Sequence, residues 1–312
     1  MKAVLFPGQG SQYVGMGLDF YNKFNIVKEI FQRVDDTLGF SLSNIILKGS
    51  EEELKLTQNT QPAIMTIGVS IFNVLNEEFG FNLKDSNYFA GHSLGEYTAL
   101  VCAGSLSIES ASYLLHERGK SMQLAVPSGE GSMLAVLGMT IEEVEKEIDI
   151  LSKDNDELCE IANDNCDGQV VVSGKKNAIN IFHTNLKNKK KKGIILPVSA
   201  PFHCSLMINS ANHMKSKIEN SDFLKPNPSI ISNVTAKEEN DINKIKPLLI
   251  DQITSKVRWR ESIIFMGENK INDFIEIGPG KVLTGLVKRI LPNSNSFSIN
   301  SINDIKNLKN ES

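Results

Sequence analysis

The sequence predicts an α/β protein with a largely parallel sheet and an inserted unit of ferredoxin-like order. Three observations carry this. Short apolar runs alternate with helical stretches, the pattern of strands joined by crossover helices. Two of those runs end in glycine turns that open straight into helices, GHSLGEY at 91–97 and GPGKVL at 278–283. Between them, residues 127–198 read strand, helix, strand, strand, helix, strand.

In chain order, KAVLF (2–6) is a buried strand ended by the turn PGQGSQ. QPAIMTIGVSIFNVLNEEF (61–79) has helical periodicity, with Pro62 suited to a first turn. NYFAGHS (87–93) is a strand running into a tight turn, and LGEYTALVCAG (94–104) is a helix closed by Gly104. A further helix covers 107–125, with Ser107 as its N-cap. In the middle, GSMLAVLG (131–138) is a strand. TIEEVEKEIDILSK (140–153) is an amphipathic helix opened by a Thr140/Glu143 capping box. LCEIAND (158–164) and QVVVSG (169–174) form a strand pair, 175–190 a helix, and GIILPVS (193–199) the last strand of the insert. Residues 273–290 repeat the strand, glycine turn, helix pattern.

Composition narrows the function. The 312 residues are 41% hydrophobic and 22% charged, enough for a large core. A net charge of −4 argues against nucleic acid as a partner. Four scattered cysteines, Cys102, Cys159, Cys166 and Cys204, form no CxxC pair and read as reduced thiols, neither a disulfide frame nor a zinc site. No segment has the length of a signal-peptide core or a membrane span. A cytoplasmic protein without membrane contact is expected.

The GxSxG turn between a strand and a helix is a nucleophile-elbow pattern. Small glycines permit the sharp turn, the serine hydroxyl stands out at the sheet's edge, and the next helix aims its N–H groups at the same place. Ser93 is therefore either a nucleophile, with the Leu94 N–H as an oxyanion donor, or a capping serine. A nucleophile needs a base. Of five histidines, His92 adjoins the serine on a turn where neighbours diverge, His116 and His183 read as solvated helix positions, and His213 lies on a polar helix. His203, where the chain returns from the insert, is either the base or a structural histidine. Cys204 beside it lacks a visible partner, and no aspartate stands out as a third member.

The helix at 107–125 carries an unexpected charge. Its apolar stripe runs Ile108, Ala111, Leu115, Met122, and position 118, which completes it, is arginine. An inward guanidinium needs an anion: either a nearby Glu or Asp, or a substrate carboxylate gripped bidentately.

Taken together, these blocks resemble the malonyl-CoA:acyl carrier protein transacylases and the related acyltransferases of polyketide synthases. The resemblance runs from residue 1 to about 290 through FPGQGSQ (6–12), TQPA (60–63), GHSLGEYTALVCAG (91–104), ERGKSMQ (117–123), NDNCDGQVVVSG (163–174), PVSAPFHCSLM (197–207), SNV (232–234) and EIGPGKVLTGLVKRI (276–290). It implies an α/β-hydrolase-like core (1–126 and 199–312) around a ferredoxin-like subdomain (127–198). It implies Ser93 as nucleophile, His203 as base, Gln9 and Leu94 as main-chain oxyanion donors, and Arg118 as the malonyl clamp. Gln252 would orient the histidine through its main-chain carbonyl. Asn163 and Asn165 fall in a family block without an assigned role.

The partners implied are acyl carrier protein and a coenzyme A thioester, with no cofactor or metal, in a monomer. Phe202 before the histidine and Leu94 after the serine match malonyl-selective polyketide relatives. Fatty-acid members often carry Ser before the histidine, so Phe202 keeps a polyketide-loading enzyme as an alternative. A serine thioesterase and a non-catalytic carrier-binding protein are the rivals. The lysine run 187–192 suits an acidic carrier surface, CoA phosphates or simply a solvated helix end. GPGK (278–281) lacks P-loop spacing and reads as a tight connection.

Overall fold

The computed structural model describes residues 1–154, 158–198 and 200–311. The chain opens with β1 (Lys2–Phe6), in which Ala3 to Phe6 are fully buried. Each large side chain buried this way is worth roughly 1.5–3 kcal/mol. Four helices follow, α1 (Leu18–Lys23), α2 (Asn25–Leu38), α3 (Leu42–Lys48) and α4 (Glu51–Lys55). They lead into α5 (Thr57–Glu77), a central helix buried on nearly all sides. Then come β2 (Tyr88–Gly91), α6 (Gly95–Cys102) and α7 (Ile108–Leu124).

The chain next builds a separate sheet from β3 (Gly131–Leu137), α8 (Ile141–Asp154), β4 (Cys159–Cys166), β5 (Gln169–Lys175), α9 (Lys176–Asn188) and β6 (Lys192–Ile195). It returns through α10 (Ile208–Glu219), β7 (Ser229–Ile231), β8 (Glu238–Glu239), α11 (Ile242–Asp251) and α12 (Trp259–Glu268). It closes with β9 (Asp273–Ile277), α13 (Val282–Ile290), β10 (Asn295–Ile299) and α14 (Ile302–Glu311).

The larger sheet has the order β10-β9-β1-β2-β7-β8 and is parallel except for the β7–β8 edge pair. Phe6 lies beside Gly91, and Leu5 beside Glu276, so the strand ends that lead into the turns share one edge. In open α/β sheets that carboxyl edge is where sites form. The smaller sheet is antiparallel in the order β4-β5-β3-β6, as a ferredoxin-like unit requires. One face packs on α8 and α9 through Leu134, Val144, Val172 and Phe182. From the other, Met133, Ala162 and Val171 join the main core. The small sheet is thereby held against the edge that carries Ser93.

Two elements differ from the sequence expectation. Helix α5 starts at Thr57, so Pro62 sits inside it, where its missing N–H leaves the Gln58 carbonyl free. His116 Nδ1 donates to that carbonyl at 3.0 Å, which makes His116 a structural histidine packed on Phe40. His183 likewise meets the Gly193 carbonyl, at 3.2 Å, instead of pointing to solvent. Strand β6 ends at Ile195 because Pro197 has no N–H to give the ladder. Ser199, included in the expected strand, lies outside the described residues.

Candidate active site

The serine sits where three backbones converge. A Cβ on Gly91 would lie 1.9 Å from the Gly95 carbonyl, and one on Gly95 would lie 2.3 Å from the Phe6 oxygen. Only glycine fits at either position. Ser93 itself has φ 53°, a left-handed conformation costing about 1–3 kcal/mol that the surroundings must enforce. They do so by hydrogen bonds. Asn233 Oδ1 accepts from Ser93 N at 2.7 Å, and Asn233 Nδ2 donates to the Gly91 carbonyl at 2.7 Å. Gln252 Nε2 donates to the Ser93 carbonyl at 3.1 Å.

Ser93 Oγ lies 2.8 Å from His203 Nε2, while His203 Nδ1 lies 2.8 Å from the Gln252 carbonyl. A carbonyl only accepts, so Nδ1 carries the proton and Nε2 is left to accept from the serine hydroxyl. Burial, and then the Arg118 charge, push the imidazole pKa down to about 3, so it rests neutral. The pair can move a proton from hydroxyl to imidazole and back, with a main-chain carbonyl in place of a carboxylate. His92 turns away, its Nε2 2.9 Å from Asn165 Oδ1 and its ring on Trp259. His213 pairs with Glu117 on the surface.

Arg118 is completely buried on α7. Among the described residues it makes no ion pair. Its Nη1 donates to Gln61 Oε1 at 2.7 Å, and its Nη2 to Gln252 Oε1 at 2.8 Å and to Ser93 Oγ at 3.2 Å. Its Nε finds no partner among the described residues. Tyr97 lies under the guanidinium at 5.8 Å. Two neutral amides hold the cation in place without neutralising it, beside the serine. Of the two openings for Arg118, a protein carboxylate and a ligand carboxylate, the first is not taken.

These groups open into a cavity of about 380 Å³. Gln9 and Leu94 line it, and neither backbone N–H finds an acceptor among the described residues. Met122, Met133, Leu196 and Phe202 form its apolar walls, and Asn163 contributes from the small sheet. Among the described residues no group of His, Cys, Asp or Glu is placed to hold a metal ion. All four cysteines are buried and unpaired. At the other glycine turn, Glu276 accepts from the Leu283 and Thr284 N–H groups at 3.1 and 2.7 Å, capping α13 and closing that connection.

Ser93, His203, Arg118 and Gln252 are thus in mutual contact, with Gln9, Leu94 and Phe202 around the same cavity. Sequence reading gave no role to Gln61, Asn233 or Glu96. The first two lie in the TQPA and SNV blocks. Glu96 had a signal like that of Arg118, being the one charge in the apolar run 94–104.

Fold and site together define an α/β enzyme of the serine class. The chain belongs to the acyl transferase domain family, whose model matches residues 4–308. Over 289 residues it is 42% identical to the malonyl CoA-acyl carrier protein transacylase of Bacillus subtilis (strain 168), covering 92% of this chain and 90% of that one. The structure of an acyl-carrier-protein-S-malonyltransferase from Bartonella henselae superimposes with a TM-score of 0.95 at 40% identity, covering 99% of this chain and 98% of that one. A malonyl-transacylase, solved in complex with a type II PKS acyl-carrier protein, gives 0.94 at 37% identity and 99% coverage of both. Among the described residues no helix is long and apolar enough to cross a membrane.

Proposed function

We propose that this chain transfers the malonyl group from malonyl-CoA to the phosphopantetheine thiol of an acyl carrier protein, in the cytoplasm, as a step feeding fatty acid synthesis. The observation that carries the reading is Arg118: a buried cation without a carboxylate partner, 3.2 Å from the nucleophile. A site for neutral acyl groups has no use for it, whereas a malonyl carboxylate supplies the missing anion.

His203 Nε2 takes the Ser93 proton as Oγ attacks the thioester carbon. The oxyanion is held by the Gln9 and Leu94 N–H groups. The carbon–sulfur bond breaks, and the CoA sulfur leaves with the proton from Nε2. The carrier thiol then gives its proton to Nε2 and attacks the malonyl ester, and Oγ leaves with that proton. The core of residues 1–126 and 199–312 supplies the reacting groups, and the subdomain of 127–198 roofs the cavity. The reaction so written uses no cofactor and needs only one protomer. The Lys187–Lys192 run leads from the last turn of α9 into β6, and Lys189, at the helix C-cap, is paired with Glu147. That pairing favours a solvated helix end over a carrier-binding patch.

The test is incubation with malonyl-CoA, with and without holo acyl carrier protein. Expected are a malonyl adduct at Ser93 by mass spectrometry, absent in Ser93→Ala, and malonyl carrier formed by ping-pong kinetics. Rapid CoA release without an acceptor would instead make the chain a thioesterase. A second reading, loading of a polyketide carrier, is favoured by Phe202 and by the likeness to a malonyl-transacylase solved with a type II PKS acyl-carrier protein. Comparing fatty-acid and polyketide carriers as acceptors separates the two.

A further inference from the structure

Glu96 lies one turn below the nucleophile, buried at 1% exposure on α6. Its Oε2 accepts two hydrogen bonds, from Gln252 Nε2 at 2.7 Å and from Asn233 N at 3.1 Å. Each donor residue holds one part of the site. Asn233 fixes the Ser93 and Gly91 backbone, as described above. Gln252 serves two groups, His203 through its main chain and Arg118 through its side chain.

The side-chain amide of Gln252 has two faces, and only its oxygen suits a guanidinium. If the amide turned over, its NH₂ would confront Arg118 and the cation would lose an acceptor. Glu96 Oε2 removes that choice, because an acceptor on the far side requires the NH₂ to point there. The Ser93 carbonyl, also an acceptor for Nε2, reinforces it.

We propose that Glu96 is a positioning residue for acyl selectivity: its Oε2 fixes the polarity of the Gln252 amide, and through it the Arg118 fork that receives the substrate carboxylate. The acceptor oxygen does this work, not the charge. Burial pushes the Glu96 carboxyl up to about 7, so its charge is incomplete at neutral pH while Oε2 can accept in either state. The inference rests on the malonyl reading given above.

The test compares acylation of Ser93 by malonyl-CoA and by acetyl-CoA, followed by intact-protein mass spectrometry and by KM and kcat. In Glu96→Ala the malonyl-over-acetyl preference should fall about 10- to 100-fold, the worth of a hydrogen bond to a charged group, chiefly through KM for malonyl-CoA. Glu96→Gln, which keeps an acceptor of the same reach, should hold the preference within about threefold. In an Arg118→Ala background, Glu96→Ala should change the preference no further. If Glu96→Ala does not fold, Glu96→Asp decides: withdrawing the carboxylate by one methylene should lose the preference. The inference is overturned if both acyl groups slow equally, if Glu96→Gln is as unselective as Glu96→Ala, or if Glu96→Asp keeps the wild-type preference. Should the wild-type protein fail to load malonate at all, it is the functional reading that falls.

Discussion

Replacing Arg118 by alanine is the sharpest test of what the cavity was built to hold. The guanidinium is buried, with two amide oxygens at 2.7 and 2.8 Å, so it is fixed before substrate arrives. A malonyl carboxylate on this fork would form a buried, charge-assisted pair, and truncating one partner of such a pair costs about 2–5 kcal/mol. At about 1.4 kcal/mol per tenfold, kcat/KM for malonyl-CoA should fall about 30- to 4000-fold. The contact to Ser93 Oγ, 3.2 Å away, exists before either acyl group binds. Its loss acts alike on malonyl-CoA and acetyl-CoA and cancels in their ratio. The substitution orphans Gln61 Oε1 and Gln252 Oε1 but also removes the desolvation cost of a buried cation, so its effects on stability oppose each other and the kinetic ratio is the readout. The assay is kcat/KM for both thioesters on the same preparation. If both fall by the same factor, the arginine supports the fold and does not grip the substrate.

Three further outcomes follow from the geometry. Gly95→Ala drives a methyl to 2.3 Å from the Phe6 oxygen, between two fixed backbones; thermal melting should show a loss above about 4 kcal/mol or no folded protein, and a wild-type melt would contradict the packing. His203 resists in the folded state a proton that the unfolded chain accepts near pH 6.5. Wild type should therefore lose stability relative to His203→Gln by about 1.4 kcal/mol per pH unit as pH falls from about 6.5 towards the folded value of about 3, whereas parallel stability curves would exclude the depressed pKa. Phe202→Ser removes an apolar wall beside His203, so discrimination against methylmalonyl-CoA should relax about tenfold or more, measured as the ratio of kcat/KM values; an unchanged ratio would take Phe202 out of substrate choice.

Short strands β7, β8 and β10 escaped the sequence, which by itself determined β1, β2, β9, the glycine turns and the order of the inserted unit. Those features are local: the apolar run 2–6, the spacing of Gly91 and Gly95 about Ser93, and the Thr140 capping box each act within a few residues. The same local logic marked Arg118, since a charge that completes an apolar stripe is visible in one helix. Local logic failed at Pro62, where a distant histidine satisfies the carbonyl that proline leaves free, and at β6, which a single proline cut short. What surrounds Arg118 was beyond the sequence. Gln61, 57 residues before it, and Gln252, 134 residues after it, take its donors. Residue spacing carries no information about contacts made between helices distant in the chain. Whether the cation met a protein carboxylate or stayed open to a ligand was decided only when the chain closed, and it closed with neutral amides around the guanidinium and Glu96 behind them.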